Sequence, residues 1–325
     1  MKILVLNGSP KGQNSVTLQT IRYLQMLHPE HQIEELHVGQ KIKALEADLA
    51  PAAQAVEWAD VLLFSYPVYT FIAPYQLHRF VELLKASGLP LEWKYATQIS
   101  TSKHFYDVTA HRYIQDNCQD MGLKYIRGLS ADMDDLTKEM GREAAEKFFD
   151  FLCWSVENDR FEAFPEAVPP VAHVPVEIPD CDEDEKSGDV VIVTDCEPEN
   201  HQLAAMIARF RAVMPLKTRV VNIREYPFRG GCLGCFNCAV SGKCIYIDGF
   251  DEFLRNEIQT AQSIVYAFAV KDHSMGASFK FYDDRQFCNG HRTVTMGMPM
   301  GYLVSGSYSK EFNLQMIVEG RAQVG

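Results

Sequence analysis

The chain is poor in positive charge: 31 Lys and Arg stand against 43 Asp and Glu, a formal net charge of -12. No basic run compensates locally, and a phosphate backbone binds through clustered Lys and Arg, so a nucleic-acid partner is not expected. No stretch offers eighteen consecutive apolar residues, the length a helix needs to cross a bilayer. The apolar opening "MKILVL" is too short for a secretory h-region, so the expected setting is the cytoplasm, with no membrane partner. Cysteine is sparse, nine in 325 residues, which argues against a disulfide scaffold. Tryptophan is rarer still, and Trp58, Trp93 and Trp154 read as core packing. With 47% hydrophobic and 23% charged residues, the composition is that of a globular protein with ordered cores.

A length of 325 residues suits two domains of about 150 residues each. The segment "AFPEAVPPVAHVPVEIPDCDEDEKSGD" is dense in proline and then acidic, which suits an extended linker over 163–188. Domains over 1–162 and 189–325 follow. In the first, apolar runs "KILVL", "QIEELHV", "DVLLFSY", "YATQIST" and "LKYIRGL" alternate with helical patterns. One helix starts near Ser15 with Leu18, Ile21, Leu24 and Leu27 on one face, and another, "PYQLHRFVELLKASG", stops at Gly88. Such alternation implies an α/β fold, a doubly wound parallel sheet with helices on both faces. After the linker the plan restarts with "DVVIVTD", "HQLAAMIARFRAVM", "TRVVNI", "SIVYAFAV" and "TVTMGMPMGYLVSG", which reads as a duplication without a clear fifth strand, as in a shortened copy.

The loop "NGSPKGQNSVT" joins the first strand to the first helix. It gathers the hydroxyls of Ser9, Ser15 and Thr17 at a positive helix end, which is a phosphate site in physical terms. It is neither GxGxxG nor GxxxxGK[ST], so a pyrophosphate or nucleoside triphosphate is disfavoured there. The loops "SYPVYTF" and "STSKHFY" leave the carboxyl ends of the third and fourth strands, where ligands of such sheets bind. The corresponding first loop of the second half, "DCEPENHQ", places Glu197 and Glu199 where a phosphate dianion would be repelled.

Four cysteines, Cys232, Cys235, Cys238 and Cys244, cluster in "GCLGCFNCAVSGKC", with glycines that let the backbone fold closely. Thiolates select iron-sulfur clusters or zinc over hard cations, and a C-x2-C-x2-C-x5-C run is compatible with a four-iron four-sulfur cluster, with structural zinc, or with metal-free thiols. The scattered Cys118, Cys153, Cys181, Cys196 and Cys288 read as buried small hydrophobes.

"GSPKGQNSVT" with "SYPVY" resembles the flavodoxin-like NADPH-dependent FMN reductases, and the cysteine stretch resembles the iron-sulfur flavoproteins within that group. The resemblance implies two flavodoxin-like domains forming an intrachain pseudo-dimer. It implies that FMN phosphate lies on Ser9, Lys11, Asn14, Ser15 and Thr17. It also places the isoalloxazine against Pro67, Val68, Tyr69 and Thr70, with Ser100, Thr101, Ser102, Lys103 and His104 beneath its pyrimidine edge. Backbone N–H groups from Val68 to Thr70 would face flavin N5 and O4, with Tyr69 or Phe71 stacked on the ring. The implied activity is that of an oxidoreductase. NAD(P)H reduces FMN, and the electrons pass to a small-molecule or protein acceptor, directly or through a cluster at the four cysteines. No acid-base side chain is required, and association into a homo-oligomer is left open. The alternatives are a flavodoxin-like electron carrier or redox-sensing module without turnover, its cysteines on structural zinc, and a scaffold that binds no cofactor.

Overall fold

The computed structural model describes residues 1–104, 107–166, 169, 172, 175, 177–180, 186–290 and 294–324. Much of the expected linker over 163–188 lies outside these, as does Cys181. The chain divides into two compact units, Met1–Ala167 and Val168–Gly325.

In the first unit the elements alternate as the apolar runs imply. They are β1 (Lys2–Asn7), α1 (Val16–Leu27), β2 (Gln32–Leu36), α2 (Val38–Ala47), α3 (Ala50–Trp58), β3 (Val61–Pro67), α4 (Tyr75–Ala86), β4 (Tyr95–Ser102), α5 (Asp107–Asp120), β5 (Lys124–Tyr125), β6 (Leu129–Asp132) and α6 (Glu139–Glu157). Every strand pair is parallel and the order is β2-β1-β3-β4-β5, with β6 also on β4. The order reverses between β1 and β3, so loops leaving these strands splay apart and open a crevice at their carboxyl ends.

Side-chain alternation along β1 sorts the two faces. Ile3 and Val5 pack with Leu18, Ile21 and Leu24 of α1 and Phe149 and Leu152 of α6. The intervening Leu4 and Leu6 are equally buried on the opposite face. Each such side chain contributes about 1.5–3 kcal/mol relative to exposure. Leu27, expected on the inner face of α1, instead lies 45% exposed at the last turn. Helix α4 ends as expected: Ser87 Oγ donates to the Leu84 carbonyl and Gly88 follows in the left-handed region at φ +65.

Two expectations need correction here. The run "LKYIRGL" is not one strand, because β5 pairs with Tyr95 and Ala96 and β6 with Ile99 to Ser102. Between them Gly128 runs so close to β4 that a Cβ would lie 2.3 Å from the Gln98 carbonyl oxygen. Trp93 and Trp154 are 73% and 51% exposed, so neither is core packing; Trp93 lies under the Lys124 ammonium at 5.4 Å.

The second unit contains β7 (Val190–Thr194), α7 (His201–Val213), β8 (Thr218–Asn222), α8 (Asn237–Ser241), α9 (Phe250–Phe253), β9 (Ser263–Ala269), α10 (Gly276–Arg285), α11 (Phe287–Gly290), β10 (Met300–Ser305) and α12 (Phe312–Val324). Its four strands are parallel in the order β10-β9-β7-β8, the same winding with the fifth position unfilled among the described residues. Leu203 and Ile207 of α7 close the core over Val190, Ile192 and Val265. The run from Thr293 becomes strand only at Met300.

Candidate functional site

The turn after β1 is built from its own polar groups. The Asn7 side chain accepts from the Ser9 N–H at 3.1 Å and donates to the Gly12 carbonyl at 3.0 Å. The Lys11 N–H donates to Ser9 Oγ, and the Gly8 N–H donates to the Ser65 carbonyl of β3. A single helical turn over Gly12–Asn14 delivers the chain to Ser15 at the start of α1. Helix α2 presses on this turn, since a Cβ on Gly39 would lie 2.4 Å from the Ser9 backbone. Only glycine fits there, and the contact fixes the loop from outside.

Ser15 stands at the N-cap of α1, yet no side chain caps that helix. Its first-turn N–H groups and the positive end of its dipole therefore point into the crevice. Ser9, Ser15 and Thr17 are buried, and Lys11 and Asn14 are exposed at the rim. Thr17 Oγ1 lies 2.7 Å from Thr101 Oγ1, so the loops after β1 and β4 meet. No carboxylate is among these residues. The donor set fits a phosphate monoester.

The other expected residues have definite partners. Pro67, Val68, Tyr69 and Thr70 are half-buried after β3, with Thr70 and Phe71 in the left-handed region at φ 45 and 75. The Val68 N–H donates to the Thr101 carbonyl and the Tyr69 N–H to the Ile72 carbonyl. These two amides are therefore spent on holding the loop, unlike the expectation that they face a ligand. Phe71 is buried, which leaves Tyr69 as the aromatic of this loop at the crevice. Ser100 is buried with its Oγ 2.8 Å from His111 Nε2. Lys103 bridges Asp132 and Asp134 at 2.8 and 3.1 Å, turned toward the end of β6.

Asp107, which the sequence reading missed, organises this edge. Its carboxylate accepts from Ser102 at 2.5 Å, from Ser130 at 2.6 Å and from His104 Nδ1 at 2.8 Å. Burial alone would raise the Asp107 carboxyl, but these three donors outweigh it and hold it below the usual range. Burial pushes His111 down to about 4, so its ring is neutral at pH 7.

The equivalent loop of the second unit differs in sign. Burial pushes the Asp195 carboxyl up to about 6, and Glu197 pairs with Arg224 at 2.7 Å. Carboxylates occupy the place that hydroxyls hold in the first unit, so this donor set does not fit a phosphate.

The cysteine segment folds around a pocket. Cys232, Cys235, Cys238 and Cys244 all line it, and so does Cys288 of α11, which is buried as expected. Left-handed residues bend the segment, Gly234 at φ 58, Phe236 at 59 and Gly242 at 70. Arg255 Nη1 ties Gly242 to Asn289 through bonds of 3.2 and 3.3 Å. Burial pushes the Cys232 and Cys288 thiols up to about 12. Among the described residues no three His, Cys, Asp or Glu side chains converge on a point that could hold a metal ion. The iron-sulfur cluster that the resemblance of the cysteine stretch implied is not supported by this arrangement.

The comparisons bear on the first unit. Residues 1–146 match a family model described as a flavodoxin-like fold. The first unit is flavodoxin-like. Its doubly wound order, with the crevice between β1 and β3, is the framework that the second unit repeats with four strands. Among solved structures, the Smu.1420 protein of Streptococcus mutans UA159 is 18% identical with a TM-score of 0.37, covering 46% of this chain and 100% of its own. An FMN-dependent NADH-azoreductase of Bacillus anthracis is 12% identical with a TM-score of 0.37, covering 48% and 98%. A putative quinone reductase of Klebsiella pneumoniae is 15% identical with a TM-score of 0.36, covering 47% and 85%. No curated protein matches the chain. No helix among the described residues is long and apolar enough to cross a membrane.

Proposed function

We propose that the first unit binds FMN and that the chain is a flavin-dependent oxidoreductase drawing electrons from NAD(P)H. The observation that carries this reading is the uncapped N-terminus of α1, ringed by the buried hydroxyls of Ser9, Ser15 and Thr17 at the reversal point of a flavodoxin-like sheet. These groups, with Lys11 and Asn14 at the rim, hold the phosphate; Pro67 to Thr70 and Ser100 to Thr101 frame the ring system. When bound, FMN supplies hydride acceptance and electron release to a small-molecule or protein acceptor. The chain orients it. Tyr69 offers a flat face for stacking. Asp107 fixes Ser102, Ser130 and His104 in one hydrogen-bonded edge, so the loop after β4 keeps its shape.

The reading stops at the flavin. Because the described residues form no group that could hold a metal ion, no electron step is routed through Cys232, Cys235, Cys238 and Cys244. Mixing the FMN-loaded chain with NADH or NADPH under anaerobic conditions should bleach the flavin, and a quinone or dye acceptor should restore it. A bound flavin that dithionite reduces but neither nucleotide does would favour the carrier without turnover.

A further inference from the structure

We propose that Cys244 and Cys288 are a redox-active thiol pair, which closes to a disulfide by exchange with a low-molecular-weight disulfide such as oxidised glutathione. Five cysteines line one pocket of the second unit, four from the Cys232–Cys244 segment and Cys288 from α11. A thiophilic metal ion needs three or four ligands aimed at one point, and no such group forms among the described residues. A disulfide needs only two sulfurs. Both Cys244 and Cys288 are free thiols in this structure.

Three observations single out this pair. Arg255 Nη1 donates to the Gly242 carbonyl at 3.2 Å and to Asn289 Oδ1 at 3.3 Å, so one nitrogen fastens the turn just before Cys244 to the residue after Cys288. Burial apart, Cys244 is the strongest electrostatic influence on the Cys288 thiol. Beyond burial and the Asp248 bond, these same two sulfurs act on the Arg285 guanidinium. The pair thus sits beside one cation. Arg285 lines the pocket, is only 1% exposed, and its Nε has no hydrogen-bond partner among the described residues. Its other nitrogens grip Asp248 at 2.8 and 3.0 Å and the Gly230 carbonyl at 2.6 Å, which keeps the charge in place. A fixed cation beside a thiol favours the thiolate that begins exchange.

Exposure sets the order of events, since Cys244 is half-buried and Cys288 is buried. The Cys244 thiolate attacks one sulfur of the incoming disulfide, forming a mixed disulfide and releasing one small thiolate. Cys288 then attacks the Cys244 sulfur, and the second small thiolate leaves. The protons given up by the two protein thiols end on the two small thiols. The pair loses two electrons, and the small disulfide gains them. Closure ties the cysteine segment to α11 and constrains the unfolded chain.

The test equilibrates the reduced, chelator-treated full chain in glutathione buffers of graded poise, alkylates the remaining thiols and maps the peptides by mass spectrometry. Two of the nine thiols should disappear together into one linked Cys244–Cys288 peptide and return on reduction. In urea, the transition of the second unit should move upward in the oxidised form. Cys288→Ser should abolish the link and the shift and leave glutathione on Cys244. Cys244→Ser should abolish them with no glutathione on the buried Cys288. Cys196→Ser, at a thiol outside the pocket, should change neither. Nine alkylated thiols at every poise, or a link between any other two cysteines, would overturn the pair. No readout depends on flavin, so this inference and the proposed function fail separately.

Discussion

Ser15→Asp is expected to weaken FMN binding at least about a hundredfold while the first unit stays folded. Ser15 is the buried N-cap of α1 and makes no capping bond. Aspartate is among the best N-cap residues, and its charge suits the positive end of the helix, so the helix itself does not suffer. The same carboxylate would face the phosphate dianion. Like charges about 4 Å apart near a protein surface repel by about 4 kcal/mol. The chain already holds a version of this arrangement: the second unit carries Asp195 and Glu197 at the corresponding turn. Fluorescence titration with FMN, beside a thermal melt, separates the two effects. An unchanged Kd would remove the phosphate from this turn.

Asp248→Ala should destabilise the second unit by about 3–5 kcal/mol, the cost of leaving a buried guanidinium unpaired. Asp248 and Arg285 have side chains only 2% and 1% exposed, and the guanidinium carbon sits 4.7, 5.1 and 5.5 Å from the rings of Tyr246, Phe250 and Phe228. Because Arg285 also holds the Gly230 carbonyl, losing its partner loosens the entry to the cysteine segment. Burial would raise the Asp248 carboxyl, but Arg285 and the Arg229 N–H more than compensate and keep it below its ordinary value. A depressed carboxyl stabilises the fold above the unfolded value of about 3.9 and loses that contribution as pH falls through the folded one. The variant's deficit should therefore be full at pH 7 and shrink in strong acid. In urea, the transition of the second unit should move while that of the first does not. Asp248→Ala with Arg285→Met should recover much of the loss, since no charge is then left unpaired; a single variant as stable as the parent would contradict the account.

Much of the first unit was legible because its strands are apolar runs and its helices carry one-sided periodicity, as Leu18, Ile21 and Leu24 show. The turn after β1 was legible as a strand-to-helix connection because glycine, asparagine and serine stand between an apolar run and a one-sided helix. What pattern could not show was long-range packing. The break between β5 and β6 comes from the close approach of Gly128 to Gln98. Trp93 and Trp154 are apolar by type yet face outward. Cys288 gave no local sign of its company, since α11 reaches the cysteine segment only through the fold. Asp107 was not singled out, because its partners Ser102, Ser130 and His104 meet it only through the fold. The hydrogen bonds of Val68 and Tyr69 were equally hidden, because they depend on the turn closing on Ile72 and on β4.

The most direct measurement is the stoichiometry of FMN on the full chain, by titration following quenching of flavin fluorescence. One FMN per chain, lost in Ser15→Asp, is the result predicted for a site in the first unit with the second closed to phosphate by Asp195 and Glu197. No binding, or two equivalents per chain, would contradict it.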